Sequence, residues 1–301
     1  MMKVVVTGSN GLLGQKLIEL LVNKPDVTLV AVSRGDNRAR IKEGYSYISC
    51  DFMEPNALAQ VLEKEQPNAL IHTAALTNVD ACETQVDECQ RLNVDLVQEI
   101  VDWVQGTTCH LLHLSTDFVF DGKNGPYSEG DEMAALSQYG KSKELSERIV
   151  QNAGLQNWSI ARTIIVYGVC AEMSRSNLVL WAKQAAEKGT PLTVVNDQFR
   201  SPTLAEDLAQ GCWSILDKKA SGIYHLGGPE TTSVFELVSQ VFAVFGGDLS
   251  LLKSSSSAEL GQPANRPPKT GLIIEKARKD LDYQPLSFKE GLERVKTQLE
   301  K

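Results

Sequence analysis

The first half of the chain alternates short apolar runs with longer amphipathic segments. The apolar runs of strand length are KVVVTG, VTLVAVS, YSYIS, NALIHTA and CHLLHLS. The segments with apolar residues at helical spacing are LLGQKLIELLVN, NALAQVLEKE and CQRLNVDLVQEIVDWVQ. Strands that alternate with helices form βαβ units, in which parallel strands share one sheet that helices cover on both faces. The pattern therefore predicts an α/β fold with a doubly wound parallel sheet.

The pattern changes after Gly168. Helical periodicity becomes more frequent, in NLVLWAKQAAEKG, LAEDLAQGCWSILDK and SVFELVSQVFAVFG. The apolar runs between these segments are short, and KSSSSAELGQPANRPPKTG is rich in serine and proline, which is typical of an exposed loop. We therefore expect a larger lobe over residues 1–168 and a smaller C-terminal lobe over residues 169–301 that interleaves with it.

Composition and charge narrow the class of protein. Of the 301 residues, 42% are hydrophobic and 23% are charged, as in ordinary globular proteins. The formal net charge is −8, and the sequence lacks the basic clusters that bind nucleic acid. The segment MMKVVVTGSNG has no apolar region with a cleavage site, so we expect no signal peptide, and no apolar run approaches roughly 20 residues, the length that spans a membrane. We expect a cytoplasmic protein that binds neither nucleic acid nor membrane.

Cysteine and histidine positions argue against a metal site. The six cysteines form no CxxC pair, and the four histidines lack the spacing of metal ligands. His110 and His113 lie in an apolar strand, so we interpret them as structural residues. The sequence therefore predicts reduced cysteines and no bound metal.

Three glycines lie directly after the first predicted strand. Gly8, Gly11 and Gly14 lie in TGSNGLLG, at the start of the first predicted helix. A glycine-rich turn lets the backbone approach a pyrophosphate, and the helix N-terminus supplies free N–H groups and a positive dipole end. A tight turn without a ligand is the alternative, but the strand–glycine–helix context favours a Rossmann-type dinucleotide site. The predicted cofactor contacts in this turn are Gly8, Asn10, Gly11, Leu12 and Leu13.

The end of the second strand predicts the type of dinucleotide. An acidic residue there favours the free 2′-hydroxyl of NAD(H), whereas Ser33 and Arg34 occupy the tip here. A guanidinium matches a 2′-phosphate, so we favour NADP(H), although Asp36 leaves NAD(H) open. Small residues Ala74 and Ala75 at the end of the fourth strand would let a cofactor lie close to the backbone.

Tyr139 and Lys143 stand four residues apart in QYGKSKELSE, which puts both on one side of a helix. A nearby ammonium favours a phenolate, so Lys143 is expected to lower the pKa of Tyr139 from about 10. Tyr139 would then exchange a proton with a substrate oxygen as hydride moves to the adjacent carbon. Thr116, at the end of the fifth strand, would hold the same oxygen. An ordinary solvated helix is the alternative, but the preceding glycine turn and strand-five hydroxyl favour catalysis by Thr116, Tyr139 and Lys143.

Several motifs occur in a fixed order that is similar to one known family. They are STDFVFDG, YSEGDEMAALSQYGKSKELSE, ARTIIVYG, NDQFRSPTLAEDLA, GIYHLGG and NRPPKTGL. The chain resembles the extended short-chain dehydrogenase/reductase superfamily and, within it, the dTDP-4-dehydrorhamnose reductase (RmlD-like) family. The resemblance implies NAD(P)H-dependent reduction at C4 of a nucleotide-linked 4-keto-6-deoxy sugar, in dTDP-rhamnose biosynthesis. It assigns residues 1–168 to cofactor binding and residues 169–301 to substrate binding.

The resemblance also implies roles for individual residues. Asp51 and Phe52 would contact the adenine end of the cofactor, and Lys143 would hydrogen-bond the nicotinamide ribose. The implied substrate-binding residues are Thr77, Thr116, Asp117, Phe118, Asn177 and Arg200. Two departures stand out, because the family usually has glycine at Arg200, and some members have an acidic residue at Gln15 connected with a metal-bridged dimer.

Two other functions remain open at this stage. Some relatives resemble the β regulatory subunit of methionine adenosyltransferase, which binds NADP and a partner protein without catalysing hydride transfer. An epimerase of the same superfamily branch would keep its cofactor through the reaction cycle. Phe118 replaces the glutamate of the TDE motif of dehydratases, which argues against dehydration. The sequence is also compatible with a homodimer.

Overall fold

The computed structural model describes residues 1–172 and 176–300. The strands are β1 (Met2–Thr7), β2 (Val27–Ser33), β3 (Ser46–Ser49), β4 (Ala69–His72), β5 (His110–Thr116), β6 (Trp158–Thr163), β7 (Val166–Tyr167), β8 (Leu192–Val195), β9 (Phe199–Arg200), β10 (Thr203–Leu204), β11 (Gly222–His225), β12 (Thr232–Ser233) and β13 (Leu252–Ser255). The helices are α1 (Leu12–Leu21), α2 (Ala57–Glu65), α3 (Val79–Thr84), α4 (Val86–Gln90), α5 (Leu96–Val104), α6 (Gln138–Asn152), α7 (Leu178–Lys188), α8 (Ala205–Asp217), α9 (Val234–Val244), α10 (Ser257–Leu260), α11 (Glu275–Leu281) and α12 (Phe288–Leu299). A π-helical turn over Arg91–Asp95 joins α4 to α5.

Seven strands form one parallel sheet in the order β11-β6-β5-β4-β1-β2-β3. The predicted doubly wound parallel sheet is therefore confirmed. The chain moves outward from β1 in one direction through β2 and β3, and in the other through β4, β5 and β6. The strand order therefore reverses between β1 and β4, and ligands of open α/β sheets bind at the carboxyl ends of the strands at such a point.

Each face of the sheet buries its own hydrophobic core. Val4 and Val6 pack on the side of α1, α8 and α11, whereas Val5 packs on the side of α2, α5 and α6. Alternate side chains of a strand point to opposite faces, so a strand that is covered on both faces is apolar at every position. This explains why KVVVTG is a continuous apolar run rather than an alternating one.

The C-terminal part of the chain contributes to both lobes. Helices α7, α9 and α12 enclose a separate core that includes Val179, Leu237 and Leu292. In contrast, β11 joins the edge of the main sheet, and α8 packs against α1. Residues beyond 168 therefore complete the larger lobe as well as form the smaller one, and the division at residue 168 stays a prediction.

Candidate active site at the carboxyl ends of the strands

The turn between β1 and α1 requires glycine at two positions. Gly8 has a φ of +68°, and a Cβ there would lie 2.7 Å from Thr73 Oγ1 and 2.8 Å from the Ala74 nitrogen. A Cβ on Gly14 would overlap the carbonyl oxygen of Gly8. These contacts hold the turn against the end of β4, so that α1 begins directly at the point where the strand order reverses.

The residues of this turn fit a dinucleotide phosphate. Helix α1 has ten residues, and its N-cap is Gly11, which has no side chain to cap the free N–H groups. The first turn of α1 also carries no acidic residue. The N–H groups at a helix N-terminus lack intrahelical acceptors, so an uncapped end with a positive dipole attracts an anion. The buried hydroxyl of Ser9 also has no hydrogen-bond partner. The turn can therefore hold the pyrophosphate of a nicotinamide dinucleotide.

The predicted cofactor residues outside this turn follow the ends of neighbouring strands. Ser33 ends β2, Asp51 and Phe52 follow β3, and Ala74 and Ala75 follow β4. Phe52 is buried in the core beneath α2, whereas Asp51 is partly exposed. Because carboxyl ends of parallel strands meet at one edge, these residues follow the same edge of the sheet, and their contacts with a cofactor stay predictions.

Arg34 lies just beyond β2 with 70% of its side chain exposed. Its Nη1 atom lies 4.0 Å from Asp51 Oδ2, a weak surface ion pair. Such a guanidinium can leave its carboxylate for a phosphate at little cost. The geometry is therefore compatible with the predicted contact between Arg34 and a 2′-phosphate.

The structure brings Thr116 and Tyr139 together. Thr116 ends β5, and Tyr139 lies in the first turn of α6, whose N-cap Ser137 accepts a hydrogen bond from the Gly140 nitrogen at 3.1 Å. The hydroxyl of Thr116 lies close enough to the phenol of Tyr139 to lower its pKa. Phe118 packs edge-on against the Tyr139 ring, with 5.8 Å between centroids. A phenol and a threonine hydroxyl thus face one another at the carboxyl end of a central strand.

The prediction that Lys143 lowers the pKa of Tyr139 is wrong for this structure. Burial raises the pKa of Tyr139, the charge of Asp117 adds to the rise, and the hydrogen bond from Thr116 only partly opposes it. The Lys143 ammonium instead donates to His113 Nε2 at 3.0 Å. Burial lowers the pKa of Lys143 to about 8, although the nearby Glu147 carboxylate opposes this. The ammonium of Lys143 contacts an imidazole and does not offset the rise that burial causes in the pKa of Tyr139.

Asp117 and Arg200 form a buried contact between the lobes. Arg200 Nε lies 3.7 Å from Asp117 Oδ2, and both side chains are at most 3% exposed. The guanidinium also donates to the carbonyl oxygens of Phe199, Pro267 and Pro268 at 2.7 to 3.1 Å. The structure therefore places Arg200 in the wall between the lobes, with three of its five N–H donors on backbone carbonyl oxygens, and its contact with a substrate stays a prediction.

Asp117 is held by hydroxyl groups from both lobes. Thr116 donates to Asp117 Oδ1 at 3.1 Å, and Thr270 donates to Asp117 Oδ2. Burial raises the pKa of Asp117, while the charge of Arg200 and the two hydroxyls oppose the rise. The carboxylate thereby connects the hydroxyl of Thr116 to the C-terminal lobe.

The other two predicted substrate residues differ in their surroundings. Asn177 caps α7, because its Oδ1 accepts from the Leu180 nitrogen at 3.2 Å and its amide donates to the Gly168 oxygen at 2.8 Å. Thr77 is exposed beyond the end of β4. Thr77 is therefore exposed near the carboxyl end of β4, whereas the side chain of Asn177 is used within the fold.

Sequence reasoning missed His113 and Thr270 as neighbours of the site. His113 lies two positions before Ser115 on β5, and strand alternation places it on the face that α6 covers. That alternation could have indicated its contact with Lys143. No local signal indicates the bond from Thr270 to Asp117, because 153 residues separate the two in the chain.

Comparison with known proteins identifies the family. A model of the RmlD substrate binding domain matches residues 2–301. The chain belongs to the RmlD family. A dTDP-4-dehydrorhamnose reductase of Aggregatibacter actinomycetemcomitans is 28% identical, and the match covers 100% of both chains. Methionine adenosyltransferase 2 subunit beta of Danio rerio is also 28% identical, over 88% of this chain and 80% of its own.

A solved structure gives the same fold for an RmlD-family enzyme. The dTDP-4-dehydrorhamnose reductase of Bacillus anthracis str. Ames, in complex with NADP, superposes with a TM-score of 0.86 at 26% identity, and the match covers 99% of each chain.

Within residues 1–172 and 176–300, no helix is long and apolar enough to cross a membrane. Over the same residues, no group of three or more histidine, cysteine or acidic side chains is placed to bind a metal.

Proposed function

We propose that the protein is an NADPH-dependent reductase of a nucleotide-linked 4-keto-6-deoxy sugar, similar to dTDP-4-dehydrorhamnose reductase. The observation that carries the proposal is that Tyr139 and Thr116 lie next to each other at the carboxyl end of β5, on the same edge of the sheet as the glycine turn that follows β1. The names of the Aggregatibacter relative and the Bacillus anthracis structure support the substrate class and NADP. Cytoplasmic location and a homodimer stay predictions.

Tyr139 acts as the proton donor in this proposal. When bound, the nicotinamide supplies a hydride to C4, and negative charge then develops on the carbonyl oxygen. Because burial raises the pKa of Tyr139, its phenol is protonated at neutral pH. The transfer is still favourable, since an alkoxide is a stronger base than a phenolate. Thr116 stabilises the phenolate that remains when its single hydroxyl proton turns from Asp117 Oδ1 to the phenolate oxygen.

Of the two tasks expected of Lys143, acidifying the phenol and binding the nicotinamide ribose, the geometry favours the second. Its ammonium is buried at 2% exposure and donates to a histidine that burial keeps neutral. We infer that the Lys143 ammonium turns from His113 to the nicotinamide ribose when the cofactor binds. Lys143 would then orient the cofactor, and His113 would hold the ammonium in the free protein.

Turnover separates the reductase from a regulatory subunit. The second candidate function is that of a non-catalytic NADP-binding subunit, and the observation that favours it is the similarity to methionine adenosyltransferase 2 subunit beta. The test mixes the protein with NADPH and a panel of 4-keto-6-deoxy sugars on different nucleotides, and follows NADPH absorbance and sugar products. Consumption of NADPH with reduction at C4 supports the reductase. Tight NADPH binding without turnover across the panel would support the regulatory function instead.

Arg34→Ala should weaken the binding of NADPH about tenfold or more while changing NADH binding by less than about threefold. Arg34 is exposed and makes only a weak ion pair with Asp51, so its loss should not disturb the fold. A bidentate contact with the 2′-phosphate would be lost only for NADPH. Calorimetric titration of both cofactors measures the difference. Equal losses for the two cofactors would remove Arg34 from phosphate recognition.

A further inference from the structure

The turn that follows β2 keeps its carbonyl oxygens on the protein side. Tyr47 lies half-buried against the core beneath α1, and its hydroxyl lies 2.8 Å from the Gly35 oxygen and 3.2 Å from the Ser33 oxygen. The amide of Asn10 donates to the oxygens of Arg34 at 3.2 Å and Asp36 at 2.9 Å. Four consecutive carbonyl groups, at residues 33–36, therefore end on two side chains of the protein.

Asn10 and Tyr47 act as one unit. Asn10 Nδ2 also lies 3.1 Å from the Tyr47 hydroxyl, so its two N–H protons are shared among three acceptors, while its Oδ1 accepts from the Arg38 nitrogen at 2.9 Å. Asn10 belongs to the glycine turn that fits the pyrophosphate. Its side chain thus ties the pyrophosphate turn to the turn that meets the adenosine ribose, and Tyr47 supports the junction from β3.

The charge of the turn is opposite to that of the whole chain. Arg34, Arg38, Arg40 and Lys42 contribute four positive charges to residues 33–42, against the single negative charge of Asp36. Carbonyl oxygens repel a phosphate, whereas N–H groups and guanidinium groups attract it. Removal of four carbonyl dipoles from the ligand side therefore strengthens the attraction of an anion by the nearby arginines.

We propose that Asn10 and Tyr47 are positioning residues that set cofactor selectivity. They turn the carbonyl oxygens of residues 33–36 inward, so that the ribose end of the site accepts a 2′-phosphate. Tyr47 acts through the turn and does not touch the cofactor. The inference rests on the proposed use of NADP(H) but requires no turnover, so it is separable from the reductase proposal.

Tyr47→Phe should weaken NADPH binding about three- to tenfold, the range expected for loss of one hydrogen bond. Binding of NADH should change by less than about twofold, because its ribose has a hydroxyl where NADPH has a phosphate. The fragments 2′,5′-ADP and 5′-AMP isolate the adenosine end and should show the same contrast. All four dissociation constants are measured by calorimetric titration of wild type and variant.

Tyr45→Phe is the matched control, since Tyr45 also packs against the core beneath α1. Its hydroxyl donates to the Ile41 oxygen at 2.7 Å and accepts from Asn37 Nδ2 at 2.8 Å, outside residues 33–36. This variant should keep the wild-type preference for NADPH. Thermal melting without nucleotide checks the fold, and Asn10→Ala provides a second variant should Tyr47→Phe unfold.

The possible results distinguish a role of Asn10 and Tyr47 in cofactor selectivity from a general effect on binding. A selective loss for NADPH and 2′,5′-ADP in Tyr47→Phe or Asn10→Ala, with Tyr45→Phe unaffected, supports the inference even in a protein that reduces no sugar. Equal loss for both members of each pair, no loss, or a wild type that prefers NADH would overturn it.

Discussion

Tyr139→Phe is expected to lower kcat by about two to four orders of magnitude, the usual contribution of a positioned general acid. The dissociation constant for NADPH should stay within about threefold of wild type, because the phenol faces Thr116 rather than the glycine turn. The ring of Tyr139 packs against Phe118, and phenylalanine preserves that contact. Steady-state rates with the sugar that wild type reduces, together with NADPH titration, measure the two effects.

The control for Tyr139→Phe is Tyr224→Phe. Tyr224 is a buried residue of β11, and its hydroxyl lies 3.5 Å from Asp280 Oδ2. Its removal deletes a phenol from the same sheet but away from Thr116, so kcat should stay near the wild-type value. An unchanged kcat in Tyr139→Phe would remove the proton-donor assignment, and equal losses in both variants would indicate a general effect on the fold.

The features that the sequence predicts correctly are local. The apolar runs KVVVTG and CHLLHLS become central parallel strands because each is covered on both faces. The glycine turn depends on the positive φ of Gly8 and on the close approach of Gly14 to Gly8 and Ser9, although Gly8 also packs against Ala74 at the end of β4. The placement of Tyr139 beside Thr116 follows from the order of strand and helix in a βαβ fold.

The electrostatic state of the site depends on contacts that are distant in sequence. The helical spacing of Tyr139 and Lys143 suggests that the ammonium acidifies the phenol. His113 binds the ammonium instead, and burial governs the pKa of the phenol. Spacing gives proximity along a helix, but the pKa depends on solvent exclusion by elements that pack from elsewhere in the chain.

Two residues predicted to bind substrate, Asn177 and Arg200, have structural contacts instead of free side chains. Asn177 directly precedes the apolar run of α7, which is a local N-cap signal, and the structure uses its side chain as a cap. Arg200 carries no such signal, because its partners Asp117 and Pro267 come from distant segments. A charged residue that stands where relatives have glycine can serve the packing of the lobes instead of a ligand.

Arg200→Met should lower the free energy of unfolding by about 3–5 kcal/mol, the usual cost of breaking a buried ion pair from one side. Methionine keeps much of the volume but leaves Asp117 without its positive partner and removes the Arg200 donor of the Pro267 oxygen, whereas the Phe199 and Pro268 oxygens keep backbone donors. Removal of Arg200 should raise the pKa of Asp117 further, since the guanidinium opposes the effect of burial. Chemical denaturation of wild type and variant measures the loss.

The pH dependence of the stability of Arg200→Met tests whether the unpaired Asp117 carboxylate causes the loss. A buried carboxyl with a raised pKa binds a proton more readily in the folded than in the unfolded state, so stability falls as pH rises above the unfolded-state pKa of about 3.9. The loss of stability in Arg200→Met should therefore shrink as the pH is lowered, and Arg200→Met combined with Asp117→Asn should recover part of the lost stability.

Arg148→Ala is the control, because Arg148 forms an exposed pair with Glu144 and its loss should cost less than about 1 kcal/mol of stability. If Arg200→Met were as stable as wild type but raised KM for the sugar, Arg200 would contact the substrate as its sequence position suggests.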